Sequence, residues 1–152
     1  MSTQEVIENK ISFIRQQLDL VKKFQGMTED EFKTNTTSRA AVERYLYVIV
    51  QAAIDLSEAT IAYKKLRKPT TMRESIEILG EAGIVPSEFC QRFVKMVGFR
   101  NTLAHDYGIV DARIVYGVLQ EKLKEVEEFL GYIEGLKLWA VLAAVAGCID
   151  FK

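Results

Sequence analysis

Apolar residues in the first segment recur at intervals of three and four positions, at Ile7, Ile11, Ile14, Leu18 and Val21. This spacing places them on one side of an amphipathic helix. Ser2 and Glu5 precede the stripe in the arrangement of a capping box. The pattern therefore predicts a helix that begins near residue 2 and buries one face.

Two further helices follow from the same periodicity. A second apolar stripe begins at Val42 and ends at Leu56, after the polar run "TNTTS", whose side chains can cap a helix start. Thr71 and Glu74 repeat the capping pattern before a short third helix. Gly83 supplies the left-handed residue that ends this helix.

The later part of the chain predicts two more helices. Pro86 opens the fourth helix, and Gly108 interrupts it. Asp111 caps the fifth, whose apolar positions over residues 112–133 face away from its acids and lysines. No segment shows the alternation of a β-strand. About five helices joined by short connections predict an all-α, antiparallel helical bundle.

Composition places the chain among soluble globular proteins, since 49% of its 152 residues are hydrophobic and 27% are charged. This length suits one compact domain. The net charge of -1 provides no bulk positive field. Contact with a nucleic acid would therefore depend on a local basic patch.

Cysteine usage and hydropathy predict a cytoplasmic protein. Cys90 and Cys148 match neither a zinc site nor a disulfide framework, which favours a reducing compartment. The N-terminus lacks the basic start and apolar core of a secretory signal. Residues 138–149 carry no charge, but a helix that spans a bilayer needs about 20 residues. We expect no metal, no cofactor and no membrane contact.

The only histidine lies in "RNTLAHDY", residues 100–107, between an arginine and a tyrosine. In a regular helix Arg100 and Tyr107 would lie on nearly one line, and His105 would point about 140° away. A helix that ends or distorts between residues 104 and 108 would let the three side chains converge. Because arginine binds phosphate and histidine titrates near neutral pH, such a site suits attack of a ribose 2′-hydroxyl on its own phosphodiester.

A lone histidine at a helix end also fits an ordinary capping or solvent-exposed residue.

Cleavage of this kind requires both an acid and a base, and a symmetric dimer would supply two copies of His105. A ferritin-like metal bundle is excluded, because Thr102 stands where its Glu-x-x-His pair needs a glutamate.

The spacing of Arg100, His105 and Tyr107 resembles the motif of the HepT-type toxins in the HEPN superfamily, known from HepT/MntA toxin–antitoxin systems. The similarity extends to "AVERYLYVIVQAAIDLSEA" and "SIEILGEAGIVP" before the motif and to "GIVDARIVYGVL" after it. It covers residues 1–135, which we expect to form one HEPN-like helical domain.

Residues 136–152, "LKLWAVLAAVAGCIDFK", depart from the family as an apolar C-terminal extension. Its residues Trp139, Leu142 and Val145 either fold back into the core or form a larger oligomer interface.

The resemblance implies a homodimer in which the Arg and His of both subunits face one cleft. It implies a metal-independent endoribonuclease that cuts tRNA or mRNA, the toxin of a type II or type VII-like toxin–antitoxin pair. A minimal nucleotidyltransferase antitoxin would neutralise it. By position, Arg100 would bind the scissile phosphate, His105 would transfer protons and Tyr107 would be adenylylated. Asn101 either orients the site by hydrogen bonding or caps a turn.

A basic run, "YKKLRKPTTMR", precedes the third predicted helix. It either steers RNA phosphates towards the cleft or is a solvated loop. Its candidate phosphate contacts are Lys64, Lys65, Arg67 and Lys68.

One alternative function stays open, a non-catalytic helical dimer that binds nucleotide or assists a partner nucleotidyltransferase. The intact pair of Arg100 and His105 favours the ribonuclease, because a pure binding module needs no titrating group beside the arginine.

Overall fold

The computed structural model describes residues 2–105 and 110–149, with side chains described up to residue 136. Those ranges contain eight α-helices and no β-strand, so the predicted all-α class is confirmed. In chain order the helices are α1 (Thr3–Lys22), α2 (Glu29–Thr34), α3 (Thr36–Tyr63), α4 (Met72–Glu81), α5 (Ser87–Phe93), α6 (Lys95–His105), α7 (Ala112–Glu121) and α8 (Leu123–Ile149).

Helix α3 is the centre of the bundle and contacts α1, α2, α4, α6 and α7. It lies antiparallel to α1. Phe24, just after α1, has its ring centroid 6.2 Å from that of Tyr45 in the first half of α3. Ile7, near the start of α1, lines the same small cavity as Thr60 near the end of α3. The site described below depends on this pairing, because both helices contribute to it.

Helix α3 is long and apolar enough to cross a membrane by length and composition, but 56% of its most apolar window is buried inside the protein. Its residues Leu46, Ile49 and Leu56 are almost fully buried. The apolar character of α3 therefore matches its position at the centre of the core.

The predicted helix boundaries agree with the backbone. Ser2 and Glu5 form the capping box at the start of α1. The Thr71 hydroxyl accepts a hydrogen bond from the Glu74 amide at 3.0 Å at the start of α4. Gly83 has a φ of 75°, in the left-handed region that a side chain disfavours.

The predicted fourth and fifth helices are each interrupted once. Val94 separates α5 from α6, and Lys122 separates α7 from α8. Helix α2 has no counterpart among the predicted helices. It contains six residues, of which Phe32 alone is buried, and one buried residue cannot produce an apolar periodicity. Its start nevertheless carries a capping box, in which the Thr28 hydroxyl accepts from the Glu31 amide.

The predicted C-terminal extension begins inside a helix. Helix α8 runs without interruption from Leu123 to Ile149, across the expected boundary at residue 135. Ion pairs from Arg15 to Glu134 and from Lys22 to Glu127 join α1 to the first part of α8. The two alternatives for Trp139, Leu142 and Val145 were packing into the core and forming an oligomer interface. These residues lie outside the described side chains, which end at residue 136.

Candidate active site

Helix α6 carries the arginine and the histidine of the predicted motif. Met96 and Val97 are buried and fix the first turns of α6 in the core. Arg100 is half-buried in the middle of the helix, and His105 is exposed at its last residue. The helix is described up to His105, so the predicted end or distortion between residues 104 and 108 stays a prediction. Tyr107 lies outside the described residues, at positions 106–109.

The guanidinium of Arg100 lies against helix α3. Its Nε donates a hydrogen bond to Gln51 Oε1 at 2.9 Å, and its Nη2 donates to the Tyr47 hydroxyl at 3.1 Å. Its Nη1 donates to Asn101 Oδ1 at 3.0 Å. Two residues of α3 and one of α6 thus fix the guanidinium on three sides.

These three partners are uncharged, so the described contacts leave the positive charge of Arg100 without a carboxylate. A guanidinium has five N–H donors, and the three hydrogen bonds use three of them. Two donors remain, the number that one phosphate can accept in a bidentate pair. The arrangement is suited to binding an anion that arrives from solvent.

Gln51 is itself held in one orientation by Asp55. The Gln51 Nε2 donates to Asp55 Oδ1 at 3.0 Å, one helical turn further along α3. Because a carboxylate accepts but does not donate, the amide nitrogen faces Asp55 and the amide oxygen faces Arg100. Asp55 therefore supports Arg100 indirectly, without neutralising it by direct contact.

Tyr47 contacts two arginines through its ring. The Cζ of Arg100 lies 5.0 Å from the ring centroid, and the Cζ of Arg44 lies 5.5 Å from it. Both distances are within the range of cation–π attraction, which favours a cation near the face of an aromatic ring. Tyr47 thus holds two positive charges close to each other.

Tyr47 and Gln51 were not predicted from the sequence as site residues. The signal was a polar stripe in an otherwise apolar helix: Arg44, Tyr47, Gln51 and Asp55 recur at intervals of three and four. That spacing places them on one face of α3. Such a stripe identifies a polar face but not its partner, because Arg100 lies 49 residues after Gln51.

Arg100 and His105 are not joined by a hydrogen bond among the described contacts. They stand five residues apart on one helix, so their side chains leave the axis about 140° apart. Asn101 accepts a hydrogen bond from Arg100, which is the contact that its orienting role requires. The roles of all these residues remain predictions.

The basic run after α3 is only partly free to bind phosphate. Arg67 forms ion pairs with Glu74 and Glu81 of α4, and the hydrogen bonds to these carboxylates raise the pKa of its guanidinium. Lys64, Lys65 and Lys68 are exposed and form no ion pair among the described residues. Of the four predicted phosphate contacts, Arg67 is therefore the least suited to bind RNA.

Comparison with known families places this site in context. A family model described as ribonuclease HepT-like matches residues 14–133, a range that includes Tyr47, Gln51, Arg100 and His105. The chain belongs to the HepT-like ribonuclease family. The resemblance and the enzyme class predicted from the sequence are thereby confirmed.

Two HepT proteins are similar to the chain over most of its length. The tRNA nuclease HepT of Aphanizomenon flos-aquae is 29% identical over 120 residues, which cover 79% of this chain and 82% of that protein. The mRNA nuclease HepT of Shewanella oneidensis is 28% identical over 130 residues, which cover 86% of this chain and 97% of that protein. These two HepT nucleases act on different classes of RNA.

A solved HEPN toxin shares the fold of this HepT-like chain. The tri-AMPylated Shewanella oneidensis HEPN toxin, in complex with MNT antitoxin, superimposes with a TM-score of 0.79 at 27% identity. The match covers 89% of this chain and 99% of that toxin. The predicted HEPN-like bundle is confirmed by this similarity.

Proposed function

We propose that this chain is the toxin of a type II or type VII-like toxin–antitoxin pair and a metal-independent endoribonuclease. The observation that supports the proposal best is the environment of Arg100. Its guanidinium is fixed by three uncharged oxygens and keeps two donors for a phosphate. Cleavage assays distinguish the proposed ribonuclease from the alternative, a non-catalytic helical dimer that binds nucleotide or assists a partner nucleotidyltransferase.

The proposed reaction is an attack of the ribose 2′-hydroxyl on the adjacent phosphorus. The 2′-hydroxyl loses its proton, the 2′-oxygen forms a bond to phosphorus, and the bond from phosphorus to the 5′-oxygen breaks. The leaving 5′-oxygen receives a proton. The products are a 2′,3′-cyclic phosphate and a 5′-hydroxyl. Arg100 stabilises the negative charge that develops on the phosphoryl oxygens, and His105 transfers protons.

A homodimer would complete this site. General acid–base cleavage needs one group that accepts a proton and one that donates it, and each chain has a single histidine. Two-fold symmetry would bring a second His105 to the cleft. We expect sedimentation to show a dimer at micromolar concentration, and a monomer would contradict the shared cleft.

The proposed partner is a minimal nucleotidyltransferase that adenylylates Tyr107. The HEPN toxin of similar fold is tri-AMPylated and bound to MNT antitoxin. Each AMP group would add bulk and negative charge beside the site that must receive RNA. Like-charge repulsion would then oppose binding of the phosphodiester.

The proposed substrate is tRNA or mRNA in the cytoplasm. One related HepT is a tRNA nuclease and another an mRNA nuclease, so similarity favours RNA without selecting either class. The exposed residues Lys64, Lys65 and Lys68 are proposed to attract RNA phosphates by charge. We propose that residues 1–135 form the HEPN-like helical domain and that residues 136–152 are an apolar C-terminal extension of it.

The chemistry can be tested with one modified substrate. The phosphodiester bond that the protein cuts is first mapped in one RNA. The same RNA is then synthesised with a single 2′-deoxyribose in the nucleotide on the 5′ side of that bond. We expect no cleavage there, because the attacking oxygen is missing. Uncut material should persist at that position while the all-ribose control yields a 2′,3′-cyclic phosphate. Cleavage of the deoxy substrate at the same bond would contradict the mechanism.

A further inference from the structure

A groove with a volume of about 480 Å³ lies between α1 and α3, beside Arg100. Tyr47 and Gln51 line this groove, and the same two residues accept the hydrogen bonds that Arg100 donates to α3. The groove and the proposed scissile-phosphate site therefore share Tyr47 and Gln51. A strand that binds at Arg100 has this groove next to it.

The groove carries charge and aromatic surface suited to a nucleotide. Lys10 from α1 and Arg44 from α3 line it, and neither forms an ion pair among the described residues. Phe13 from α1 also lines it and is 41% exposed, one of two large apolar side chains that the described surface leaves this open. Asp55 brings one negative charge to the groove and binds Gln51.

Arg44 differs from most arginines of the chain in having no carboxylate partner among the described ion pairs. Five other arginines form ion pairs, namely Arg15, Arg67, Arg73, Arg92 and Arg113. Arg44 and Arg100 instead share the ring of Tyr47. Two arginines that keep their charge unneutralised and lie together are the expected arrangement for binding a polyanion.

The distances fit successive phosphates of one strand. The two guanidinium carbons lie 5.5 and 5.0 Å from the same ring centroid, so they are at most 10.5 Å apart. Adjacent phosphates of a single strand fall within that reach. An exposed ring such as Phe13 offers a face on which an unpaired base can stack.

We propose that the groove between α1 and α3 binds the nucleotide next to the scissile phosphate of single-stranded RNA. Arg44 binds the phosphate of that nucleotide, and Phe13 stacks on its base. This subsite rests on the proposed ribonuclease function and deepens it. With this subsite the protein binds at least two phosphates of the RNA strand. RNA substrates that end at the scissile bond would therefore bind weakly.

Binding is measured by fluorescence anisotropy with a 2′-O-methyl hexanucleotide, which lacks the attacking hydroxyl and stays uncut. We expect Arg44→Gln to weaken binding and to lower the slope of log affinity against log salt by about 0.7, the value for one phosphate contact on a single strand. Phe13→Leu removes the aromatic face and should weaken binding about tenfold relative to the parent. Phe13→Trp keeps an aromatic face and should bind the hexanucleotide about as well as the parent. A 2′-O-methyl dinucleotide, which has one phosphate, should be affected far less by Arg44→Gln.

Lys124→Gln is the matched control, because it removes one exposed positive charge from α8 that has no ion pair among the described residues and does not line the groove. It should leave the salt slope unchanged. Circular dichroism and sedimentation check that each variant keeps the fold and the oligomeric state of the parent. An oligomeric state that changes with Arg44→Gln would show that this face joins two copies of the chain, and it would overturn the proposal.

The outcomes separate the subsite from the reaction. If the parent cuts RNA and Arg44→Gln binds and cuts like the parent, the subsite is wrong and the proposed function stands. If the parent binds the hexanucleotide with a slope that depends on Arg44 but cuts no RNA, the subsite stands and the proposed function fails. A parent that does not bind the hexanucleotide overturns the subsite, and cleavage of tRNA and mRNA then decides the proposed function.

Discussion

Gln51 accepts a hydrogen bond from Arg100 Nε at 2.9 Å, although the two residues are 49 positions apart in the chain. The contact links the central helix α3 to the helix that carries the proposed catalytic residues. It also explains why an uncharged residue stands at this position. A glutamine orients the guanidinium without cancelling the charge that a phosphate requires.

Replacing Gln51 by Glu should therefore impair cleavage more than replacing it by Ala. Gln51→Ala removes one orienting contact, and we expect about a tenfold loss of kcat/KM. Gln51→Glu places a carboxylate against Arg100, where it competes with the phosphate, and we expect a loss of about a hundredfold or more. Initial rates on a fluorescent RNA measure both.

Gln91→Glu is the control for Gln51→Glu, because it adds the same negative charge at an exposed position of α5 that does not line the groove and does not contact Arg100. It should cut RNA at close to the parental rate. Equal rates for Gln51→Glu and Gln51→Ala would mean that the charge balance at Arg100 is unimportant.

Arg100→Lys should show that geometry matters as well as charge. Lysine keeps the positive charge but cannot donate through a planar fork to Gln51, Tyr47 and a phosphate together. We expect cleavage to fall about a hundredfold or more in Arg100→Lys and to vanish in Arg100→Ala. Thermal unfolding should stay cooperative in both, since Arg100 is half-buried and outside the apolar core. Parental kcat in the Arg100→Lys variant would contradict a bidentate role.

Local sequence signals predicted most of the fold. The capping box of α1, the N-cap threonine of α4, Gly83 and the apolar stripes act within a few residues, so they can be recognised in the sequence itself. The interruptions at Val94 and Lys122 were not predicted, because no proline or glycine marks them. They depend on how α5 to α8 pack in three dimensions.

The sequence predicted only those residues of the candidate site that lie close together in the chain. The motif containing Arg100 and His105 is contiguous, whereas its partners on α3 are brought to it by folding. The sequence shows that Tyr47 and Gln51 are polar, but their contact with Arg100 requires the packing of α3 against α6. Arg67 was predicted to contact phosphate, but its ion pair with Glu81 arises from tertiary structure and could not be predicted from the sequence.

Tyr107→Phe should produce a toxin that its antitoxin cannot silence. Phenylalanine lacks the hydroxyl that would accept the nucleotidyl group, while its ring keeps a similar shape. Co-expression with the proposed nucleotidyltransferase antitoxin should arrest growth for Tyr107→Phe but not for the parent. Tyr63→Phe serves as a control and should be silenced normally. Mass spectrometry should locate AMP on Tyr107, and an unmodified Tyr107 in a neutralised complex would contradict this route.

The ion pairs of Arg67 predict a pH-dependent contribution to stability. Hydrogen bonds from Thr70 and then Arg67 lower the pKa of Glu74, and hydrogen bonds from Arg67 lower the pKa of Glu81. A lowered folded pKa means that the contribution is present above the unfolded value, about 4.3, and is lost as the pH falls through the folded pKa values.

Arg67→Gln should therefore unfold at a slightly lower urea concentration than the parent at pH 7. The difference should shrink as the pH falls below about 4.3. Lys124→Gln removes an exposed charge that has no ion pair among the described residues, and it should show no such trend. A difference between Arg67→Gln and the parent that is constant across this range would rule out the two carboxylates as its cause.

The most direct test of the account is cleavage of tRNA and mRNA by the purified chain in EDTA, side by side with His105→Ala. EDTA removes the divalent ions on which a metal-dependent ribonuclease would rely, and the variant removes the only histidine. We predict that the parent cuts at least one of the two RNA classes in EDTA and that His105→Ala folds as the same oligomer but cuts neither. Cleavage by His105→Ala at the parental rate, or no cleavage by the parent in EDTA, would contradict the proposed function.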